Sequence, residues 1–134
     1  TGFEFWQRSR MINTQAGTRP LIEIFYIQLS GAERSLKKLS EGIEEEGVPY
    51  QFVVVSKQAE NATQIACQAA HASLLEVGIG MDGQGNLALH YRKLPDHEPL
   101  FQLLPPYSNE ELRCFGSHAA RLIKGLPFRL NEEI

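Results

Sequence analysis

An α/β domain with a mostly parallel five-stranded sheet, helices on both faces and one antiparallel strand is what this sequence predicts. Three observations carry the expectation. Strand-like and helix-like patterns alternate from Pro20 onward, which implies parallel strands joined by right-handed helical crossovers. The run Asp82-Gly83-Gln84-Gly85-Asn86 is dense turn chemistry too short for a crossover, so the strand after it must return antiparallel. Three polar N-cap signatures open the helical stretches, at Ser30, Asn61 and Ser108.

The elements follow in order. Leu21 to Leu29 is a strand with Ile22, Ile24 and Tyr26 on one face and Phe25 and Ile27 partly covering the other. Ser30-Gly31-Ala32-Glu33 reads as a capping box, after which Leu36, Leu39 and Ile43 form the apolar stripe of a first helix. Tyr50 to Ser56 is a β-branched run suited to a strand buried on both faces. Asn61-Ala62-Thr63-Gln64 caps a second helix to about Ser73, rich in alanine and able to pack closely. Glu76 to Met81 is the third strand and Leu87 to Leu94 the returning arm of its hairpin. Leu100 to Leu104 is the fifth strand. Ser108-Asn109-Glu110-Glu111 caps a last helix that carries Leu112, Phe115, Ala119, Leu122 and Ile123 and ends near Gly125 and Pro127.

The 134 residues fit a single domain over 20–130, with a leader over 1–19 and a tail over 131–134. Residues 1–10 precede Met11, lack a clean period and read as an added leader; the alternative is a native arm docking Phe3, Phe5 and Trp6 on a neighbour. A net charge of −3 excludes the basic footprint of a nucleic-acid or anionic-membrane binder. The apolar runs are strand-length, too short to span a bilayer.

A search for chemistry finds little. Cys67 and Cys114 sit on different helices without ligand spacing, as packed, reduced thiols of a cytosolic protein would. His71, His90, His97 and His118 are scattered over different elements, and His90 in a strand reads as structural. Gly78-x-Gly80 with Gly83 and Gly85 leads into a strand, so it is a hairpin and not a phosphate loop. Asp82 and Asp96 are turn residues before they are a catalytic pair. No nucleophile–base constellation emerges, and the expectation is a non-enzyme.

One run stands apart: Gly42-Ile43-Glu44-Glu45-Glu46-Gly47-Val48-Pro49 ends the first helix with three carboxylates where the helix dipole favours cations. Each misplaced charge costs about 0.3–1 kcal/mol at an exposed end. A solvated acidic end with nothing bound is the plain reading. A bound cation or a basic partner surface is the alternative.

That run resembles the corresponding helix end in the small subunits of diol and glycerol dehydratase reactivating factors. Ser73-Leu74-Leu75-Glu76-Val77-Gly78-Ile79-Gly80 resembles the family's third strand, Leu89-His90-Tyr91-Arg92-Lys93-Leu94-Pro95 its hairpin return, followed by Pro99-Leu100-Phe101 and Ala119-Ala120-Arg121-Leu122-Ile123-Lys124-Gly125-Leu126-Pro127-Phe128. The similarity runs from about Pro20 to Arg129, with weaker matches over 57–64 and 105–118 and none in the leader. The chain also resembles the medium subunit of the dehydratase itself and, at fold level, the anticodon-binding domain of class II aminoacyl-tRNA synthetases.

The resemblance implies a three-layer α/β/α sandwich with a mixed sheet of order 2-1-3-4-5, strand 4 antiparallel. It implies an accessory subunit without its own active site, in an ATP-dependent chaperone that frees damaged cobalamin from adenosylcobalamin-dependent diol or glycerol dehydratase. The small subunit would exchange with the dehydratase medium subunit. The implied partners are a large ATPase subunit, two large and two small chains together, and the dehydratase large subunit during exchange, with ATP or ADP held by the large chain. The setting would be the cytoplasm or a bacterial microcompartment. The motif's middle carboxylate, Glu45, would be a Mg²⁺ ligand shared with the large subunit, with Glu44 and Glu46 as supporting charge at the partner interface. Glu45 lies about 200° from Ile43 on the helical wheel, hence outward. The alternatives are a medium-subunit relative within a cobalamin-dependent dehydratase, or a stand-alone ligand-binding domain with its crevice near Leu29 and Ser56.

Overall fold

The computed structural model describes residues 20–56 and 60–125. The leader expected over 1–19, Pro127 and the tail over 131–134 lie outside them, while the last helix closes at Gly125 as expected. Within the described residues five strands and three helices alternate. They are β1 (Ile22–Ile27), α1 (Ala32–Glu45), β2 (Tyr50–Val55), α2 (Ala62–Ala72), β3 (Val77–Met81), β4 (Leu87–Tyr91), β5 (Phe101–Leu103) and α3 (Asn109–Lys124).

The strands form one sheet of order β2-β1-β3-β4-β5. β1 runs parallel to β2 and β3, and β4 runs antiparallel to both of its neighbours. This is the expected mixed topology with β4 as the reversed strand. Strand alternation then sorts the faces. Ile22, Ile24 and Tyr26 of β1 and Val77, Ile79 and Met81 of β3 join Leu36, Leu39 and Ile43 of α1 and Leu112 and Phe115 of α3 in the main core. Leu39 and Ile43 are fully buried, each contributing about 1.5–3 kcal/mol of burial free energy.

The intervening residues of β3, Gly78 and Gly80, face α2. A Cβ on either would collide with the α2 backbone at Ala62, Ala66, Ala69 or Ala70, so the glycines let the alanine-rich helix lie directly on the sheet. Ala62 and Ala66 pack there with Ala88 of β4. Three layers result, with α1 and α3 on one side and α2 on the other.

The hairpin is built as its composition implies. The Asp82 carboxylate accepts from the backbone N–H groups of Gln84 and Asn86 and from the Asn86 amide, each at 2.9 Å, while Gly85 supplies a φ of +87°. The capping boxes at Asn61–Gln64 and Ser108–Glu111 are both formed.

Three local expectations change. Ser30 caps nothing: Gly31, at φ +85°, is the N-cap, and α1 has no side-chain cap. The left-handed glycine turns the chain in through the Ala32 N–H to Leu29 carbonyl bond, 3.0 Å long. β2 is an edge strand, half-buried and with Val54 49% exposed, where burial on both faces was expected. A β-branched run fits an edge as well as a centre, since its propensity reflects pleat packing and not strand position. β4 stops at Tyr91, not Leu94, because the Leu94 N–H turns back to the Tyr91 carbonyl at 2.9 Å.

Candidate functional site

The acidic end of α1 is shaped by how α1 meets α3. At Gly42 and Gly116 the two helices touch through backbone. A side chain at Gly42 would run into the Arg113 carbonyl, and one at Gly116 into the Leu39 carbonyl. α1 then ends at Glu46, where the Glu46 N–H bonds the Ile43 carbonyl and the Gly47 N–H the Glu44 carbonyl, each at 3.0 Å. Gly47, at φ +75°, releases the chain toward Pro49.

The last turn of α1 contains no basic residue, whereas that of α3 contains Arg121 and Lys124. These supply from α3 the positive charge that α1 lacks. Lys124 Nζ donates to the Glu46 carbonyl at 2.8 Å, capping the end of α1, and lies 3.4 Å from Glu46 Oε1. Arg121 Nε and Ser117 Oγ each donate to Glu46 Oε2 at 3.0 Å. The Glu46 side chain is only 12% exposed. Burial pushes its carboxyl up, but the Ser117 and Lys124 hydrogen bonds and the charges of Arg121 and Lys124 outweigh burial, and its pKa lies below the ordinary value.

The three carboxylates therefore divide. Glu46 is turned inward onto α3. Glu44 accepts a hydrogen bond from the Tyr50 hydroxyl of β2. Glu45 points outward as its helical phase requires, is 42% exposed and pairs with Arg113, whose guanidinium also reaches Glu110 at 3.7 Å. A cation at Glu45 would share or displace the Arg113 guanidinium. Sequence reasoning missed these basic partners because Arg121 lies 75 residues from Glu46, beyond any helical or hairpin spacing.

A cleft of 410 Å³ opens at the far end of the molecule, among Leu29, Gly31, Arg34, Gln84, Pro106 and Tyr107. Leu29 lies in it as the crevice reading expected, but Ser56 does not line it.

The other polar cluster lies under α2. Cys67 and His71 share a helix face with Asp96 of the β4–β5 connection across from them, and His71 Nε2 stands 3.5 Å from Asp96 Oδ1. The histidines are thus not all scattered. His90 is completely buried, and neither ring nitrogen has a hydrogen-bond partner among the described residues. Burial holds its imidazole below the ordinary range; Asp96 acts against that shift and His71 adds to it. Burial, then the charge and hydrogen bond of Asp96, raise the Cys67 thiol. The remaining histidines are ordinary: His118 stacks at 4.9 Å on Phe101 and lies 3.6 Å from Cys114, and exposed His97 neighbours Glu98. Among the described residues no helix is long and apolar enough to cross a membrane.

The sheet order and the reversed fourth strand, with helices on both faces, define a class of small three-layer α/β domains. The family model for the dehydratase medium subunit matches residues 19–129. The propanediol dehydratase-reactivating factor small subunit of Salmonella typhimurium LT2 is 44% identical over 88 residues, 66% of this chain and 73% of that protein. The diol dehydratase-reactivating factor small subunit of Klebsiella michiganensis is 41% identical, over 78% of this chain and 82% of that protein. Among solved structures, a glycerol dehydratase reactivase superposes with a TM-score of 0.79 at 32% identity, covering 83% of this chain and 97% of that one. A diol dehydratase-reactivating factor solved with ADP and Mg²⁺ gives a TM-score of 0.74 at 39% identity, covering 83% and 98%. The chain belongs to the dehydratase medium subunit family, and within it to the small subunits of diol and glycerol dehydratase-reactivating factors.

Proposed function

We propose that this chain is the exchangeable accessory subunit of an ATP-dependent factor that reactivates an adenosylcobalamin-dependent diol or glycerol dehydratase. The observation that carries the reading is similarity through nearly the whole domain, in sequence and in fold, to reactivating-factor small subunits. In this reading two copies join two large ATPase chains, nucleotide on the large chain sets how tightly this one is held, and the released chain takes the place of the dehydratase medium subunit. Damaged cobalamin leaves through the gap so formed. The chain performs no chemistry of its own and works in the cytoplasm or beside a bacterial microcompartment.

Glu45 is the contact that couples the two subunits. Its carboxylate is outward and reachable, a hard oxygen donor of the kind Mg²⁺ takes together with water and a partner's oxygens. Arg113 holds that carboxylate in place until the cation arrives. Glu44 and Glu46 support the interface indirectly, by tying the end of α1 to Tyr50 and to α3. A pull-down from the source cell with tagged chain, with and without ATP, tests the function. Capture of a large ATPase subunit whose yield changes with nucleotide is expected. Nucleotide-independent capture of the catalytic dehydratase subunits would instead make this chain a working medium subunit, the reading favoured by the name of the family model.

A further inference from the structure

We propose that Cys67, His71 and Asp96, with water in the fourth position, form a binding site for a single divalent transition-metal ion of the Zn²⁺ type. The site is independent of the subunit-exchange reading and lies on the opposite side of the sheet from Glu45.

The helix sets two of the donors. Cys67 and His71 are four residues apart, so they stand one turn above the other on the same face of α2. Asp96 reaches that face from the connection between β4 and β5. One ligand atom from each of the three lies within 4.8 Å of the others. Two donors on one tetrahedral zinc ion sit about 3.5 Å apart, given bond lengths of about 2.0–2.3 Å. Small side-chain rotations close the difference. His71 and Asp96 are exposed, so an ion can enter from solvent without opening the core.

His90 lies close by, although its ring nitrogens fall outside the group of donor atoms within 4.8 Å of one another. On β4 it follows Ala88 by two residues, and Ala88 packs against α2, so His90 is on the same sheet face. It pairs in register with Gly78, over which Ala69 and Ala70 of α2 lie. The imidazole therefore sits beneath the half of α2 that carries Cys67 and His71. Asp96 and His71 are the two charged groups that act on it. The Glu98 backbone also favours the protonated ring, so His90 is a buried neighbour of the site and not one of its three donors.

An exposed His71–Asp96 ion pair with the Cys67 thiol beside Asp96 is the simpler account, but the three donor atoms so gathered are also a metal-ligand set. One sulfur, one nitrogen and one carboxylate oxygen make a borderline-soft set, which suits Zn²⁺ or Co²⁺ and does not suit Mg²⁺ or Ca²⁺. Bound there, the ion would clip α2 to the β4–β5 connection.

The test uses the full chain, stripped with chelator and titrated with Zn²⁺ against a chromogenic competitor, and separately with Co²⁺. One equivalent of Zn²⁺ is expected, with Co²⁺ giving a thiolate charge-transfer band and the intense visible bands of tetrahedral coordination. The charge-transfer band should vanish in Cys67→Ser and persist in Cys114→Ser, whose thiol also lies four residues before a histidine. His71→Ala and Asp96→Asn, both at exposed positions, should each weaken Zn²⁺ at least tenfold. Absence of the thiolate band, its survival in Cys67→Ser, or unchanged affinity in both exposed variants would overturn the site.

Discussion

Glu46 and Glu45 are adjacent in sequence and differ in what surrounds them. Around Glu46, Ser117, Lys124 and Arg121 favour the ionised carboxylate more than burial disfavours it, so its folded pKa lies below the unfolded one. Such a group contributes stability above the unfolded value of about 4.3 and loses it as pH falls through the lower folded value. Acid titration of thermal stability should therefore show a decline in that window that Glu46→Gln flattens, with a loss of about 1–3 kcal/mol at neutral pH from the hydrogen bonds weakened. A variant that keeps the wild-type pH profile would show that Glu46 does not brace the helix end. Glu45 faces solvent, so Glu45→Ala should leave the unfolding midpoint close to wild type. Its effect should appear as weaker Mg²⁺-dependent association with the large subunit by calorimetry. Equal affinity of variant and wild type would dissociate Glu45 from the interface.

At the scale of elements, the α1–α3 crossing is the feature most sensitive to change. Gly42→Ala places a methyl against the Arg113 carbonyl, and the helices must part to admit it. Overpacking of this kind costs about 1–3 kcal/mol, which urea denaturation would read as a lower midpoint. In an ordinary exposed helix the same substitution would stabilise by up to about 1 kcal/mol, so the sign of the change decides whether the crossing is as close as described. This glycine also shows where sequence reading stops. The reversed fourth strand, the hairpin at Asp82 and the caps at Asn61 and Ser108 were legible because each rests on spacing within a few residues, whereas the strand order came from the resemblance. Gly42 looked like part of a helix-ending motif because its reason, the backbone of α3, lies some seventy residues on. The same distance hid Arg121 from Glu46. Asp96 was read as a turn residue although it meets His71, 25 residues before it, only once the sheet has formed. β2 could not be told from a buried strand, since its exposure depends on which strand ends the sheet.

For the whole molecule, the separation of duties between the two sheet faces is the organising fact. One face presents α1 and α3 with the acidic end, and the other carries α2 over Gly78, Gly80 and His90. The proposed exchange requires the chain to reproduce another subunit's surface, and on the α1–α3 face Glu45 and Glu46 are held by Arg113, Arg121 and Lys124. Mixed with dehydratase holoenzyme and its large partner, the chain should displace the medium subunit in a nucleotide-dependent manner, visible as a new band in native gels. Persistence of the original dehydratase band at saturating chain and nucleotide would argue against exchange.

The backbone contact at Gly42 and Gly116 has a mechanical consequence. Helices joined through side chains can slide, because side chains change rotamer; helices seated backbone on backbone have little slack to take up. Force applied by a partner at the end of α1 is therefore borne by α1 and α3 together, as by one stiff lever laid across the sheet. A pull on the end of α1 would then tilt or hold the entire α1–α3 layer, where on a looser pair it would only fray the last turn of one helix.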